Sequence, residues 1–442
     1  MRNFVSAFDY RSLPGATAPE LVFGKFSESH DFIVNDADFE KGRLLGIFPQ
    51  MPPEFGDDGP FYYFLTETGD NDYMLAALWN GKKYPVICGK NPQGEFTITG
   101  LEEELRPIQA NIFKISEHNY RMYFWAHFHG TPRKVRMLIA ESSDRQHWQI
   151  INGGRPAFCH YSDTLCTQGL FPVTRQCNDA TTVYQQSDGT FEVLSASLIH
   201  LDANSQTRYY QKDIWRGYVR VIQRWVGDGF ENWSQPEIVA LPDADDPIDL
   251  QFYYLCANKL PHGNFGWLGR FSVATQKMTM EPVWSQDRRH WVRPFRKSLG
   301  PEPEKPIVAP AHHMAEIGDK FRMYYSCGNY DHNFQTMDGS KPQKMIRYAE
   351  IDQRRLFGCQ LNNSAILSPA LRMDEPALEV YTSADAELSF VWRNAFGEIS
   401  DKPIKVANTV PGVWQLALED CKPGCTGVLE IRGKGQVFDL KY

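Results

Sequence analysis

Short runs in which apolar and polar residues alternate recur along this chain, bounded by Gly, Pro, Asn and Asp, and they recur in a fixed order. Tyr120-Arg-Met-Tyr-Phe-Trp125 leads through Val135-Arg-Met-Leu-Ile-Ala140 to the turn phrase Ser143-Asp144-Arg145-Gln146-His147-Trp148. Phe191-Glu-Val-Leu-Ser195 precedes Gly217-Tyr-Val-Arg-Val-Ile222 and Gly229-Phe230-Glu231-Asn232-Trp233. Gly266-Trp-Leu-Gly-Arg270 precedes Thr279-Met-Glu-Pro-Val-Trp284 and Gln286-Asp287-Arg288-Arg289-His290-Trp291. Phe321–Tyr325 with Met345–Ala349 repeats the pair without the Trp turn, and Phe61–Leu65 with Tyr73–Ala77 is a degenerate first copy. A further apolar run precedes each copy: Leu44–Phe48, Ile108–Ile115, Ala180–Tyr184, Leu250–Leu255 and Ile307–Ala315.

Period-two alternation rich in β-branched and aromatic residues predicts strands, and no long helical period interrupts it. Five units of three or four antiparallel strands, repeated along a chain, predict an all-β fold: a five-bladed β-propeller, whose radial closure removes exposed sheet edges. His30-Asp-Phe-Ile-Val34 is a candidate strand for closing the ring. After Gly358 the runs lose their Tyr/Trp phrases and become short strands between Gly, Pro, Asn and Asp, the pattern of a small β-sandwich. The expected organisation is a propeller over residues 1–360 and an accessory sandwich over 361–442, dividing near Asn362-Asn363-Ser364.

Composition narrows the partners. A formal net charge of −8 and the lack of Lys/Arg runs interleaved with aromatics argue against nucleic acid or an anionic membrane surface. No apolar stretch approaches a membrane span, and Met1–Asp9 has too short an apolar run for a signal peptide, so a cytoplasmic location is expected, or a periplasmic or secreted one if a leader has been removed. Nine cysteines without metal-type spacing fit free thiols in a reducing compartment, with Cys421 and Cys425 close enough in sequence to bridge a turn. Aromatic residues make up 13% of the chain; most are expected to pack between strands, and some to stack on sugar rings.

The passages Val221–Glu237, Pro242–Pro247 and Gln251–Tyr253, with Trp284–Pro294 and Phe321–Tyr325, resemble the central blades of the five-bladed glycoside hydrolases, similar to glycoside hydrolase families 43 and 32 and related bacterial proteins. The likeness covers most of residues 100–358. The Trp-Met-Asn-Asp-Pro-Asn and Arg-Asp-Pro signatures of family 32 do not occur, so that family's catalytic residues have no counterparts to carry over. What the resemblance implies is a carbohydrate substrate and hydrolysis by two carboxylates, one protonating the leaving oxygen and one acting as nucleophile or base. It also implies that these acids sit near the start of each blade's innermost strand.

That rule selects Asp179, which with Asn178 abuts the run Ala180–Tyr184; Asp249, before Leu250; and Glu103 and Glu104 of the Glu102–Glu104 triplet. Glu54, Asp57 and Asp58 are the candidates of the first unit. An Asn-Asp pair also caps turns, and an acidic triplet is commonly a solvated face, so each has a structural reading beside the catalytic one. Arg106, Asn178, His312, His313, His129 and Trp215 are candidates for substrate contact. His127 and His129 have the same-face spacing of a metal pair on a strand, yet no third ligand stands nearby in sequence, so neither metal nor cofactor is expected. Two other readings stay open: a non-catalytic carbohydrate-binding propeller, and a polysaccharide lyase using His129, His313 or Tyr184 beside an arginine. Sugar identity, endo or exo mode, stereochemical outcome and oligomeric state are not encoded in any of these patterns.

Overall fold

The computed structural model of the chain describes residues 4–5, 8, 10–12, 19–33, 61–67, 73–79, 82–83, 85–88, 91–95, 97–144, 147–200, 217–260, 263–310, 314–333, 335–340, 344–400, 404–419 and 421–442. Among these the structure is all-β, and helix is confined to Thr164–Thr167 and isolated single turns. The repeated runs are consecutive antiparallel strands. One sheet carries Phe61–Glu67, Tyr73–Trp79, Pro85–Cys88 and Asn91–Glu95. The next carries Arg106–Ser116, Asn119–Phe128, Lys134–Ser142 and His147–Ile150, and a third Thr181–Gln185, Phe191–His200, Tyr218–Gly227 and Glu237–Ala240. A larger sheet runs Leu250–Leu260, Gly263–Ser272, Met278–Ser285, then Ile307–Pro310, Lys320–Gly328 and Lys344–Asp352. Its two halves meet through one parallel pair, Met278 with Ile307, so it is two meanders joined at a seam. His30–Ile33 is indeed a strand, and it pairs with Lys344–Asp352 as the outermost member of the last meander.

The Asp-x-x-His-Trp phrases explain themselves locally. Asp144 accepts from Ser142 Oγ and His147 N (3.0 and 2.8 Å), and Asp287 accepts from Ser285 Oγ, Arg289 N and His290 N (3.2, 2.9 and 2.9 Å). In each case one carboxylate satisfies the turn amides that the ladder leaves open. Trp148 is then buried under its own sheet, while Trp233 and Trp291 donate their indole N–H back to the turn carbonyls of Phe230 and Arg288, both at 3.0 Å.

Strands of neighbouring sheets are stitched by side chains rather than by a ladder. Asn111 Oδ1 accepts from Val183 N (3.1 Å), Thr182 donates to Leu255 O (2.8 Å), Tyr184 Oη accepts from Ala257 N (2.6 Å), and Asn258 Oδ1 accepts from Met314 N (2.7 Å). Together these bonds hold three strands and the segment at Met314 side by side. Buried carboxylates are held by arginine forks: Glu192 by Arg224 of its own sheet and Arg288 of the next, and Glu281 by Arg270 on the adjacent strand and by Arg293. Removing either carboxylate would strand buried cations.

The end of the chain forms a separate ten-stranded sheet, but its composition differs from a simple 361–442 unit. The strand Phe357–Leu367 spans the expected boundary, and Phe4–Val5, Arg11–Ser12 and Glu20–Phe23 from the other end of the chain pair into the same sheet. Its axis is the long strand Cys425–Lys441, paired along its first part with Glu387–Asn394 and at its end with Ala377–Thr382. Gly433 and Gly435 lie at positive φ (136° and 125°) where it passes between partners, and a side chain at Gly433 would strike the Glu387 carbonyl. Trp392 is buried and Trp414 donates to Thr382 Oγ1 at 3.1 Å while packing on Phe390, so both tryptophans serve packing. Phe23 sets its ring 5.6 Å from both Trp267 and Phe357, which ties this sheet to the preceding meanders. Cys421 and Cys425 are disulfide-bonded, whereas Cys159, Cys166, Cys177, Cys256, Cys327 and Cys359 are free thiols.

Candidate functional site

The innermost strands share an irregularity at corresponding positions. In Arg106–Ser116 the pairing jumps from Ile108↔Trp125 to Asn111↔Tyr123, so Gln109 and Ala110 face the single residue Phe124, and Gln109 takes φ 50°. In Leu250–Leu260 it jumps from Phe252↔Arg270 to Leu255↔Leu268, so Tyr253 and Tyr254 face Gly269 alone. Gly269 is required there, because a Cβ would come 2.6 Å from the Tyr254 ring. Before Thr181–Gln185, Ala196 bonds to both sides of one residue: its carbonyl accepts from Asn178 N (2.8 Å) and its amide donates to Ala180 O (3.2 Å). The residue looped out between them is Asp179. A fourth break, between Pro310↔Tyr325 and Ala315↔Arg322, encloses His312 and His313, which lie outside the described residues. A bulge adds one residue to one strand and re-aims its side chain out of the ladder, which is how an otherwise regular sheet presents a polar group at its end.

Asn178 is the support for that loop. Its Oδ1 accepts from Ala180 N (3.2 Å), and its carbonyl accepts from Thr181 Oγ1 and Ser195 Oγ, both at 2.9 Å. It is therefore a buried positioning residue rather than a surface for substrate. The Asp179 side chain keeps 26% of its surface exposed, and its Oδ2 lies 3.3 Å from His127 Nε2. His127 stands at the end of the Asn119–Phe128 strand, almost fully buried, with the His129 ring 5.5 Å away. His160 reaches the same place because its strand Phe158–His160 pairs in parallel with Gln176–Cys177, the residues just before Asn178.

Burial pushes the His127 imidazole down to about 4 against the pull of Asp179, and it also lowers His129 and His160, with the Arg133 guanidinium adding to each. The three rings are thus neutral near pH 7. Sequence reasoning missed His127 and His160 as companions of Asp179; the only signal was the His-Phe-His spacing, which reads equally as a metal pair. Among the described residues no group of three His, Cys, Asp or Glu is placed to hold a metal ion.

The other described carboxylate candidates have partners of their own. Asp249 accepts from Ser272 Oγ (2.5 Å) and Ala274 N (3.2 Å), closing the turn after Gly263–Ser272. Glu104 binds Lys134 Nζ at 2.6 Å, which draws its carboxyl below the usual range; Glu102 shares the same lysine, and Glu103 is exposed. These are the turn and surface-pair roles that stood beside the catalytic reading. Tyr184 is partly buried, its phenol pushed up by desolvation, with the Arg288 guanidinium 4.2 Å over its ring. That places it within the inter-strand packing, unsuited to serve as a lyase base. Arg106 begins its strand opposite His127. Trp215, Glu54, Asp57 and Asp58 lie outside the described residues.

The fold resembles that of the propeller glycoside hydrolases. A Bombyx mori GH32 β-fructofuranosidase is 9% identical, with 86% of this chain and 90% of that one covered and a TM-score of 0.39. A structure titled for the GH130 family of mannoside phosphorylases and its glycoside hydrolases targeting β-1,2-mannosidic linkages in Candida mannan is 14% identical, covering 75% and 96%, with a TM-score of 0.40. An exo-β-1,3-galactanase from Phanerochaete chrysosporium is 8% identical, covering 86% and 95%, with a TM-score of 0.38. No protein-family model matches the sequence, and no curated protein matches it. A likeness this distant says nothing of the reaction.

Proposed function

We propose that this protein is a glycoside hydrolase: a five-bladed β-propeller with a C-terminal β-sandwich, cleaving a glycosidic bond with two carboxylates at the end of the central channel. In this reading the sheets described above are the blades, the strand His30–Ile33 belongs to the last of them, and the C-terminal sheet built on Cys425–Lys441 is the sandwich. The observation that carries the reaction is Asp179, a part-exposed carboxylate looped out of an innermost strand and backed by a neutral, buried imidazole. Of the four carboxylates selected from the sequence as catalytic, Asp249 and Glu104 are held by a turn and a lysine. The partner of Asp179 is then drawn from Glu103, the remaining selected acid, or from the first unit, among Glu54, Asp57 and Asp58. A pair drawn from different blades gives the two acids unlike surroundings, as proton donation and nucleophilic or base catalysis require.

Replacing Asp179 by Asn keeps shape and removes the titratable group. Turnover on a glycan that the parent cleaves should fall at least ~100-fold, with folding and glycan binding retained. Near-parental turnover refutes the assignment. One observation favours a second reading, carbohydrate binding without cleavage: two of the selected acids, Asp249 and Glu104, are held by a turn and by a lysine. A parent protein that binds glycans and releases no reducing ends would decide for it.

A further inference from the structure

Beside the loop at Asp179, the backbone fixes one histidine in a single hydrogen-bonding state. His160 ends the strand Phe158–His160, and its partner in the parallel pair is Cys177, two residues before Asp179. The chain turns directly after it. Asp163 N donates to the His160 carbonyl at 2.9 Å, and the fully buried Asp163 carboxylate accepts from Val135 N (2.8 Å), Arg136 Nε (2.9 Å) and Leu165 N (2.8 Å). On this pinned turn the Ser162 amide donates to His160 Nδ1 at 3.1 Å, and Ser162 Oγ lies 2.7 Å from the same nitrogen. A backbone N–H can only donate, so Nδ1 must turn its lone pair toward it, and in a neutral imidazole the proton then belongs to Nε2. A second proton, on Nδ1, would set donor against donor and break this bond. The ring is half-buried, and among the described residues its Nε2 has no partner.

An ionised carboxylate offers only acceptors, whereas each sugar hydroxyl both donates and accepts. A hydroxyl that gives its proton to an acid still has lone pairs to satisfy once water is displaced, and a ring oxygen has nothing else. Resting on the reading of this mouth as a glycan site, we propose that His160 is a substrate-binding residue whose Nε2–H donates to a hydroxyl or ring oxygen of the sugar held at Asp179. Ser162 is the positioning residue that holds the tautomer. A histidine that served the turn alone would need only Nδ1, the atom that the turn uses. The two roles therefore fall on different ring nitrogens and can be separated.

Two substitutions reproduce the nitrogens one at a time. His160→Asn keeps an acceptor near Nδ1 for the Ser162 amide and has nothing at Nε2; His160→Gln extends an amide N–H to the reach of Nε2 and gives up the turn. In the full chain, calorimetry measures binding of gluco-, xylo-, arabino-, manno-, galacto- and fructo-oligosaccharides, and urea unfolding measures stability. The parent should bind at least one of these. His160→Asn should weaken that binding ~3- to 10-fold, the worth of one neutral hydrogen bond, with its unfolding midpoint unchanged, and His160→Gln should bind better than His160→Asn. Long-range proton–nitrogen NMR of the ring, assigned by its loss in His160→Asn, should place the proton on Nε2. No probe bound by the parent, equal binding by the parent and His160→Asn, stronger binding by His160→Asn than by His160→Gln, or a proton on Nδ1 overturns the proposal. Binding that weakens in His160→Asn while the parent releases no reducing ends sinks the hydrolase reading and leaves this inference standing. Release of reducing ends with an unchanged KM in His160→Asn does the reverse.

Discussion

His127 offers a perturbation whose size follows from the structure. In the unfolded chain an imidazole protonates near 6.5, while in the folded protein burial holds this one to about 4. Between those values the unfolded state binds a proton that the folded state refuses, so stability is complete above about pH 6.5 and declines as pH falls toward 4. The shift is worth about 3 kcal/mol over the whole window, and near pH 5 the local slope is about 1.2 kcal/mol per pH unit for this single site. Replacement by Gln keeps a donor within reach of Asp179 and removes the titration. Urea denaturation of wild type and His127→Gln at closely spaced pH values between 4.5 and 7 isolates the site, because every other titrating group is common to both. The wild-type stability should fall more steeply than the variant's by about one proton's worth near pH 5. Parallel curves would refute the reasoning, since they require an imidazole that titrates alike in both states. The same experiment reports on Asp179: if catalysis relies on a neutral His127, activity should fall in the acid range before the protein unfolds.

Two further outcomes follow from packing. Glu281→Gln should cost about 3 kcal/mol or more by thermal or urea unfolding, because Arg270 and Arg293 would lose the buried carboxylate that both hold; a loss below 1 kcal/mol would mean that the network relaxes into solvent. Gly269→Ala should cost about 1–3 kcal/mol, since the new methyl group meets the Tyr254 ring at 2.6 Å, and should weaken glycan binding through the displaced Tyr253; unchanged stability and binding would show that this bulge yields freely.

The strand grouping was legible because it is written in two redundant codes, the period-two alternation and the Asp-x-x-His-Trp turn, and each of these turns is closed by its own aspartate. The contribution of the first 23 residues to the terminal sheet was not legible. Phe4–Val5, Arg11–Ser12 and Glu20–Phe23 are too short to carry a period, and their partners lie more than 300 positions away. For the proposed site, adjacency to an apolar run selected Asp179, which stands out of the ladder between Asn178 and Ala180. The same rule also selected Asp249, which instead closes a turn through Ser272 and Ala274. The two differ in a backbone detail that residue types do not encode: Asp179 is the unpaired residue of a bulge, whereas Asp249 precedes a strand that begins in regular register.

That distinction carries a wider consequence for how such a scaffold places chemistry. A regular innermost strand turns alternate side chains into the packing on either face, so neither set projects freely beyond the sheet's end. A bulge breaks the alternation at one residue, and here it does so on neighbouring strands that side-chain-to-backbone bonds hold in fixed relation. The residues at these irregularities are Gln109, Asp179 and Tyr253, an amide, a carboxylate and a phenol from three successive sheets, and of the three only Asp179 is part-exposed. Changing one such residue alters the chemistry without touching a ladder bond. Changing the bulge itself would move the residue back into register and bury its charge, at a cost of several kcal/mol. The constraint on this site therefore lies in the backbone irregularities and in the glycine that one of them requires, and the side chains they present are the part free to vary.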